Sequence, residues 1–193
     1  MKRWSGQFFP VLLLTLLAAL SFWLERAVDL PDAKRDGKLR HDPDTFVDNF
    51  TVRRFSAEGI LQYRLVSPHM THFADDDSSL VIQPKLIYFR PGSPDVTLTG
   101  GLGYASSKGE TVYFWEDVVT TRAATADRPE LVARMPDLTV QPDEGIGFTG
   151  SPVEITQGQS WMKGVGLHMD NNTSILVLQS QVTGYHIRPK APQ

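Results

Sequence analysis

The side chains that could do chemistry in this sequence are few and are poorly spaced for it. His69 and His72 are three positions apart, which on a β-strand places them on opposite faces and disfavours a shared metal. The run Asp75-Asp76-Asp77 lacks the spaced ligands and the closing glutamate of a calcium loop. A solvated turn is the favoured interpretation of this run.

The remaining motifs also give no catalytic constellation. The stretch Gly100-Gly101-Leu102-Gly103 resembles a glycine-rich loop, but no helical pattern follows it, so it predicts a bulge or a turn. The chain has no cysteine, which excludes disulfides, thiolate metal sites and cysteine nucleophiles. We therefore expect no catalytic residue, no metal and no cofactor.

The overall charge disfavours nucleic acid as a partner. The 193 residues include 19 basic and 22 acidic side chains, which gives a formal net charge of −3. This balance offers no broad basic surface for phosphate backbones. The length suits one domain of ordinary size with appendages.

The N-terminal segment predicts one transmembrane helix. Residues 4–24 carry no charge, and residues 8–24 are strongly apolar; as a helix they would span ~26–32 Å, close to the thickness of a hydrocarbon core. The alternative is a cleaved signal peptide with a site near Ala19-Leu20-Ser21. The apolar run continues past that site, which favours an uncleaved anchor, and Lys2 and Arg3 favour a cytoplasmic N-terminus.

The expected domain organisation follows from this anchor. Residues 1–24 would form the cytoplasmic tip and the transmembrane anchor. Residues 25–43, with alternating basic and acidic side chains, would form a charged linker on the far side of the membrane. Residues 44–193 would form the folded domain, and the resemblance described below implies that this linker and domain are periplasmic.

The region after the linker predicts an almost entirely β structure. Alternation places Leu61, Tyr63 and Leu65 on one face of a strand and Gln62 and Arg64 on the other. Further short stretches rich in β-branched and aromatic residues follow, with turn signals between them.

A weak internal repeat accompanies these strands. Small residues recur at intervals of 33, 33 and 31, and each is followed 18–20 positions later by an apolar residue. Four hairpin-like units of this kind predict stacked β-layers closed into a two-sheet roll. The small residues are Ser67, Gly100, Ala133 and Gly164, and the apolar ones are Leu86, Val118, Val153 and Val182.

A roll of this kind would end in unpaired edge strands, near residues 50–55 and 175–185. Such edges favour strand addition by a partner of like architecture. Alternatively, Arg53, Arg54 and the terminal prolines only block the edges. Composition also leaves open whether the apolar interior is a filled core or a groove for acyl chains.

Residues 55–65 have the form F-x-x-x-G-x-L-x-Y-x-L and are followed by Ser67-Pro68-His69-Met70-Thr71-His72-Phe73 and Gln83-Pro84. Together with the N-terminal span and the hairpin repeats, they resemble the LptC family, the bitopic component of the lipopolysaccharide export system. This resemblance implies an open twisted β-jellyroll of the OstA-like group, built of stacked hairpin repeats and preceded by one transmembrane helix.

The resemblance also implies a function. The chain would sit in the bacterial inner membrane as a single-pass protein, receive lipopolysaccharide from an ABC transporter, and pass it to a soluble periplasmic bridge protein of similar fold. Acyl chains would lie in the jellyroll interior, and ATP hydrolysis would occur in the partner, so the chain itself is not expected to be an enzyme.

Candidate site residues combine the alternation with the resemblance. The expected acyl-chain contacts are Leu61, Tyr63, Leu65, Val81, Phe114, Val153, Ile175 and Tyr185. The expected partner-interface residues are Phe50, Phe55, Gly59, Gly150 and Leu178.

Two other functions remain open from the sequence. A membrane-tethered scaffold would have a sealed core and bind proteins by its edge strands without lipid. A glycan-processing enzyme would need two carboxylates facing one cleft, and no such pair can be assigned.

Overall fold

The computed structural model describes residues 5–28 and 41–187, which fall into two units that divide between Arg40 and His41. The first unit contains the helix α1 (Ser5–Val28). Within it, Phe9–Ala27 is long and apolar enough to cross a membrane. The helix continues past Leu24, the end of the predicted anchor, and most of the predicted linker lies outside the described residues.

The second unit is almost entirely β, as the alternation predicts. Its eleven strands are β1 (Pro43–Phe55), β2 (Leu61–Phe73), β3 (Ser78–Ile82), β4 (Lys85–Arg90), β5 (Ser93–Thr99), β6 (Leu102–Ala105), β7 (Val112–Arg122), β8 (Leu131–Gln141), β9 (Ile146–Gln157), β10 (Ser160–Asp170) and β11 (Ile175–Tyr185).

All eleven strands join one antiparallel sheet with mostly neighbouring connections. Among the described strands, β1 pairs only with β2, and β11 pairs only with β10. The two ends of the sheet are therefore open edges at Pro43–Phe55 and Ile175–Tyr185, where the repeat predicts them.

A line of irregular or interrupted strand pairing crosses the sheet, through the middle of the long strands and between the short strands β3 and β4 and β5 and β6. Here the register shifts between Trp115 and Val118 in β7, and regular pairing is interrupted between Arg134 and Thr139 in β8. We call this feature the bend line, and its members are Asn49, Pro68, Gln83, Gly101, Glu116, Pro136, Gly150, Gly166 and Gln181.

Hydrogen bonds and positive φ angles maintain the bend line. The Gln83 amide donates to the Gly101 carbonyl at 2.8 Å, and the Gly101 amide donates to the Glu116 carbonyl at 2.7 Å. Gln83 and Glu116 have φ angles of 46° and 63°, a region that side chains other than glycine rarely adopt outside turns. Bulges of this kind bend a strand.

Bending at this line folds the sheet over onto itself. We call the part containing β4 and β5 the front half and the part containing β3 and β6 the back half. One core cluster contains Leu86 and Leu98 from the front half together with Phe114, Leu138 and Leu167 from the back half. The inward faces of the two halves thus pack against each other, which is the predicted two-sheet roll.

Two of the four small residues of the predicted repeat mark this bend. Ser67 and Gly100 lie directly at the bend line, where a Cβ on Gly100 would lie a tight 3.2 Å from the Trp115 carbonyl oxygen, whereas Ala133 in β8 and Gly164 in β10 pair regularly with β9. The apolar partners Leu86, Val118 and Val153 are buried in the core. Val182 is 52% exposed because no strand covers β11.

Histidine–aspartate pairs secure the edge strand β1 to its neighbour. His72 Nδ1 lies 2.7 Å from Asp44 Oδ1, and His72 Nε2 lies 3.0 Å from Asp77 Oδ1. His69 Nδ1 lies 2.6 Å from Asp48 Oδ1. These contacts tie the first part of β1 to β2 and to the β2–β3 turn.

We predict that Gly166→Ala lowers the free energy of unfolding by about 1–2 kcal/mol, because alanine is strained at a positive φ. Gly166 has a φ of 79°, and an added Cβ would lie 2.5 Å from Gln179 Oε1. Urea unfolding of the full chain in detergent measures the change. Gly150→Ala is the matched control, since Gly150 has ordinary φ and no atom within 4 Å of an added Cβ. Equal losses in both variants would contradict the prediction.

We also predict that the stabilisation by His72 decreases at alkaline pH. Hydrogen bonds to Asp44 and then Asp77 raise the pKa of His72, so its contribution is complete below about pH 6.5 and is lost as pH rises through the raised value. Hydrogen bonds from His72 and then Ser107, with Lys108 nearby, lower the pKa of Asp77. That contribution is present above about pH 3.8 and is lost only at more acidic pH.

The Tm difference between the native chain and His72→Gln tests this pH dependence. It should be larger at pH 6 than at pH 9 in the same detergent. A difference that does not change with pH would show that His72 acts only through packing.

Candidate functional site

An apolar cavity of about 110 Å³ lies between the front and back halves. Its walls combine strands from both halves, so it exists only because the sheet is folded over. The lining residues at its centre are Leu86, Leu98, Ala133, Val140, Met169 and Leu176. These side chains give the cavity an apolar wall, and its polar lining residues include Tyr88, Thr120, Arg122 and Asp170.

Five of the predicted acyl-contact residues face the interior, three of them buried and two, Tyr63 and Leu65, partly buried. Tyr63, Leu65, Phe114 and Val153 belong to the core cluster or pack directly against it. Val81 is buried and pairs with Gly103, and Gly103 in turn pairs with Phe114. The side chains of Val81 and Phe114 therefore lie on the same inward face of the sheet. None of these five residues lines the cavity.

The other three predicted residues lie at the periphery. Ile175 lines the cavity at its mouth, where it is 56% exposed, and Leu61 lines a separate shallow pocket. Tyr185 pairs with Trp161, and its side chain therefore lies on the same face of the sheet as the side chains of Trp161 and Lys163. The inward face of this part of β10 carries Met162 instead. The prediction that Tyr185 faces the interior is therefore wrong.

The error on β11 has a simple origin. Its first four residues, Ile175 to Leu178, are all apolar, so alternation cannot distinguish the two faces. In the structure Leu176 and Leu178 pack against the core. Leu178, predicted at a partner interface, therefore has its side chain turned inward.

The other predicted interface residues are spread over the domain. Phe50 and Phe55 lie on the open edge strand β1, and Phe55 is 52% exposed. Gly59 lies in the β1–β2 turn with a φ of 78°, and Gly150 lies on the bend line in β9. The structure thus brings Phe50 and Phe55 onto one edge but not the two glycines.

A latch across the cavity mouth joins the two halves and was missed by the sequence analysis. Arg90, at the end of β4, donates from Nη1 to the carbonyls of Asn171 and Asn172 and from Nη2 to Ser174 Oγ at 2.6 Å. The last three residues lie in the β10–β11 turn. Only the Pro91-Gly92 turn signal next to Arg90 hints at its position.

A second contact between the halves lies near the β8–β9 turn. Asp143 accepts hydrogen bonds from Arg54 Nη2 at 3.1 Å and from the Tyr63 hydroxyl at 3.4 Å. Burial, followed by the charge of Asp143, raises the pKa of Tyr63. Tyr63 thus keeps its proton and remains a donor.

Polar groups at the rim of the cavity have no partner among the described residues. The hydroxyls of Tyr88 and Thr120 are buried and form no hydrogen bond. Burial raises the pKa of Tyr88 further above its usual range. Arg122 follows Thr120 on the inward face of β7 and lines the same cavity. The sequence could have predicted this position, because Arg122 alternates with Val118 and Thr120.

One group of described residues has metal-ligating atoms close together. One atom each of His41, Asp75 and Asp76 lies within 4.8 Å of the others. These groups already bond within the protein: Asp75 contacts His41 at 3.1 Å, and Asp76 accepts from the Ser78 amide and the Tyr104 hydroxyl. The predicted turn at Asp75-Asp76-Asp77 is thus a hydrogen-bonded turn.

Comparison with known proteins agrees with this architecture. Curated protein sequences give no significant match. The second unit is similar in fold to LptH, the LptA homologous periplasmic component of the lipopolysaccharide transport device from Pseudomonas aeruginosa, at 12% identity and a TM-score of 0.50 over 66% of this chain and 95% of that chain. The family model for lipopolysaccharide-assembly, LptC-related proteins matches residues 11–187. The chain therefore belongs to the LptC family, whose members are lipopolysaccharide transport components rather than enzymes.

Proposed function

We propose that this chain receives lipopolysaccharide from an inner-membrane ABC transporter and passes it to a soluble periplasmic bridge protein of similar fold. Family membership supports a role in lipopolysaccharide transport. The observation that carries the proposal is the apolar cavity between the two halves, in a sheet whose two end strands are both open.

The open edges explain how such a transfer could be continuous. A partner strand added to β1 or β11 completes the unpaired hydrogen bonds of that edge. Because each edge strand crosses the bend line, addition extends the front and back halves together. The space between the halves then continues into the partner.

The proposed location follows the sequence expectation. Residues 1–24 anchor the chain in the inner membrane with the N-terminus in the cytoplasm, residues 25–43 form the linker, and residues 44–193 form the periplasmic lipid-binding domain. The helix Phe9–Ala27 has the length and composition that this anchor requires.

The interior suits transfer rather than storage. Lipid moves between similar apolar grooves only if successive sites have comparable affinities, because a much tighter site would trap it. No bond chemistry is needed in this chain. An interior with few polar groups fits that requirement.

The alternative is a tethered scaffold that binds proteins at its edges and carries no lipid. The specific observation in its favour is the closed centre of the domain, where Phe114, Leu138 and Leu167 are fully buried. A crosslinking experiment distinguishes the two functions.

We predict that a photo-crosslinking residue at Leu176 captures lipopolysaccharide, because Leu176 lines the cavity. The same photo-crosslinking amino acid at the neighbouring position Val177 should capture at least tenfold less lipopolysaccharide, because Val177 is 47% exposed and lies outside the cavity lining. The full chain in detergent is incubated with lipopolysaccharide and irradiated. Absence of capture at both positions in a folded sample would favour the scaffold.

We further predict that each edge strand contacts one partner. Photo-crosslinkers are placed at Thr51 on β1 and at Thr183 on β11, both of which are exposed. One of the two positions should capture the transporter, and the other should capture the bridge protein. Thr121, on the internal strand β7, is the matched control and should capture neither. Capture of both partners at one edge, or at Thr121, would overturn the two-edge arrangement.

A further inference from the structure

One arginine without an acidic partner lines the cavity, and a second lies in the loop that begins where its strand ends. Arg122 lines the cavity and is partly buried, while Arg128 lies in the exposed loop between β7 and β8. Within the described part of the chain, no ion pair or side-chain hydrogen bond engages either guanidinium. Burial and then the charge of Arg128 lower the pKa of Arg122, the direction expected for a cation partly removed from water.

The inward face of β7 becomes more polar from the bend line to the mouth. Val118 is fully buried, Thr120 is 4% exposed with an unpaired hydroxyl, and Arg122 ends the strand. The hydroxyl of Tyr88, across the same cavity, is also unpaired. An amphiphile has this same order, with apolar chains, then ester or hydroxyl oxygens, then a charged head.

Leaving these groups unpaired is costly to the protein. Buried hydroxyls and partly buried cations normally find a partner, since removing them from water without one is unfavourable. The planar guanidinium donates paired hydrogen bonds that match the oxygens of a phosphate. A bound anion would satisfy Arg122.

Neighbouring acidic groups do not already fill this role. Asp170 lines the cavity from the back half, but its carboxylate accepts hydrogen bonds from the amides of Asn172 and Thr173 and from the Thr173 hydroxyl. Asp127 and Glu130 flank Arg128 in the loop and form no ion pair with it or with Arg122. The other arginine at the mouth, Arg90, is engaged in the latch.

We propose that Arg122, with Arg128 beside it, binds the phosphate of an amphiphile whose acyl chains enter the cavity, and that Thr120 and Tyr88 bond to oxygens between head and chains. This inference rests on the proposed lipid-binding function and adds the position and chemistry of head-group recognition. The same two arginines could also take free phosphate, and the experiment separates the two sources.

The test compares two lipids on the full chain in detergent. A photo-crosslinker at Leu176 reports capture of bisphosphorylated hexa-acyl lipid A and of the same lipid with its phosphates removed. We expect Arg122→Gln to reduce capture of the phosphorylated lipid at least tenfold and to leave the dephosphorylated lipid unchanged. Arg134→Gln is the matched control, because Arg134 lies opposite Glu154 on the outward face and should change neither.

Three outcomes would overturn the proposal while the lipid-binding function stands. Arg122→Gln could reduce both lipids equally, which indicates a role in cavity shape. The native chain could capture both lipids equally, which indicates no phosphate recognition. Inorganic phosphate at millimolar concentration could displace the phosphorylated lipid completely, which indicates a site for free phosphate. Absence of capture of either lipid by the native chain would instead overturn the proposed function.

Thermal unfolding provides a second measurement that does not depend on lipid. Arg122 forms no internal pair, so Arg122→Gln should leave Tm unchanged or raise it. A clear fall in Tm would show that Arg122 stabilises the fold through contacts of its own, and would overturn its assignment as a ligand-binding group.

Discussion

The bend line is the constraint on which the rest of this structure depends. A flat antiparallel sheet of eleven strands would leave one apolar face exposed. Bending the sheet along this one line lets it bury that face against itself. The core cluster, the cavity and the latch at its mouth all join residues from the two sides of this line. The strain at non-glycine residues such as Gln83 and Glu116 is the cost of that closure.

The sequence predicts the elements of this fold better than their faces. Period-two patterns and turn residues identify the β domain, and the edge strands fall where the repeat ends. The spacing of Ser67 and Gly100 locates the bend, although nothing in alternation alone shows that those positions carry a bend. On β11 the run from Ile175 to Leu178 is apolar on both faces, so only the pairing with Leu167 and Met169 determines which side is inward.

The candidate site was only partly accessible to sequence reasoning, for a related reason. Residues chosen for their size and apolarity, such as Phe114 and Val153, occupy the packed centre because large apolar side chains are buried most completely there. The cavity is lined by other core residues, such as Leu86 and Leu98, together with polar residues at the strand ends. Arg90 contacts residues more than eighty positions away, and no local pattern reveals a contact of that separation.

The curved shape of the two edges also determines what can be added to them. Asn49 on β1 and Gln181 on β11 both have a φ of 51°, so neither edge is a straight template. An extended strand from an unrelated or unfolded chain can follow one side of such an edge but must leave the ladder at the corner. A strand with its own corner at the same position can follow the edge along its full length. The geometry that encloses the interior thereby also discriminates between partners, independently of their side chains.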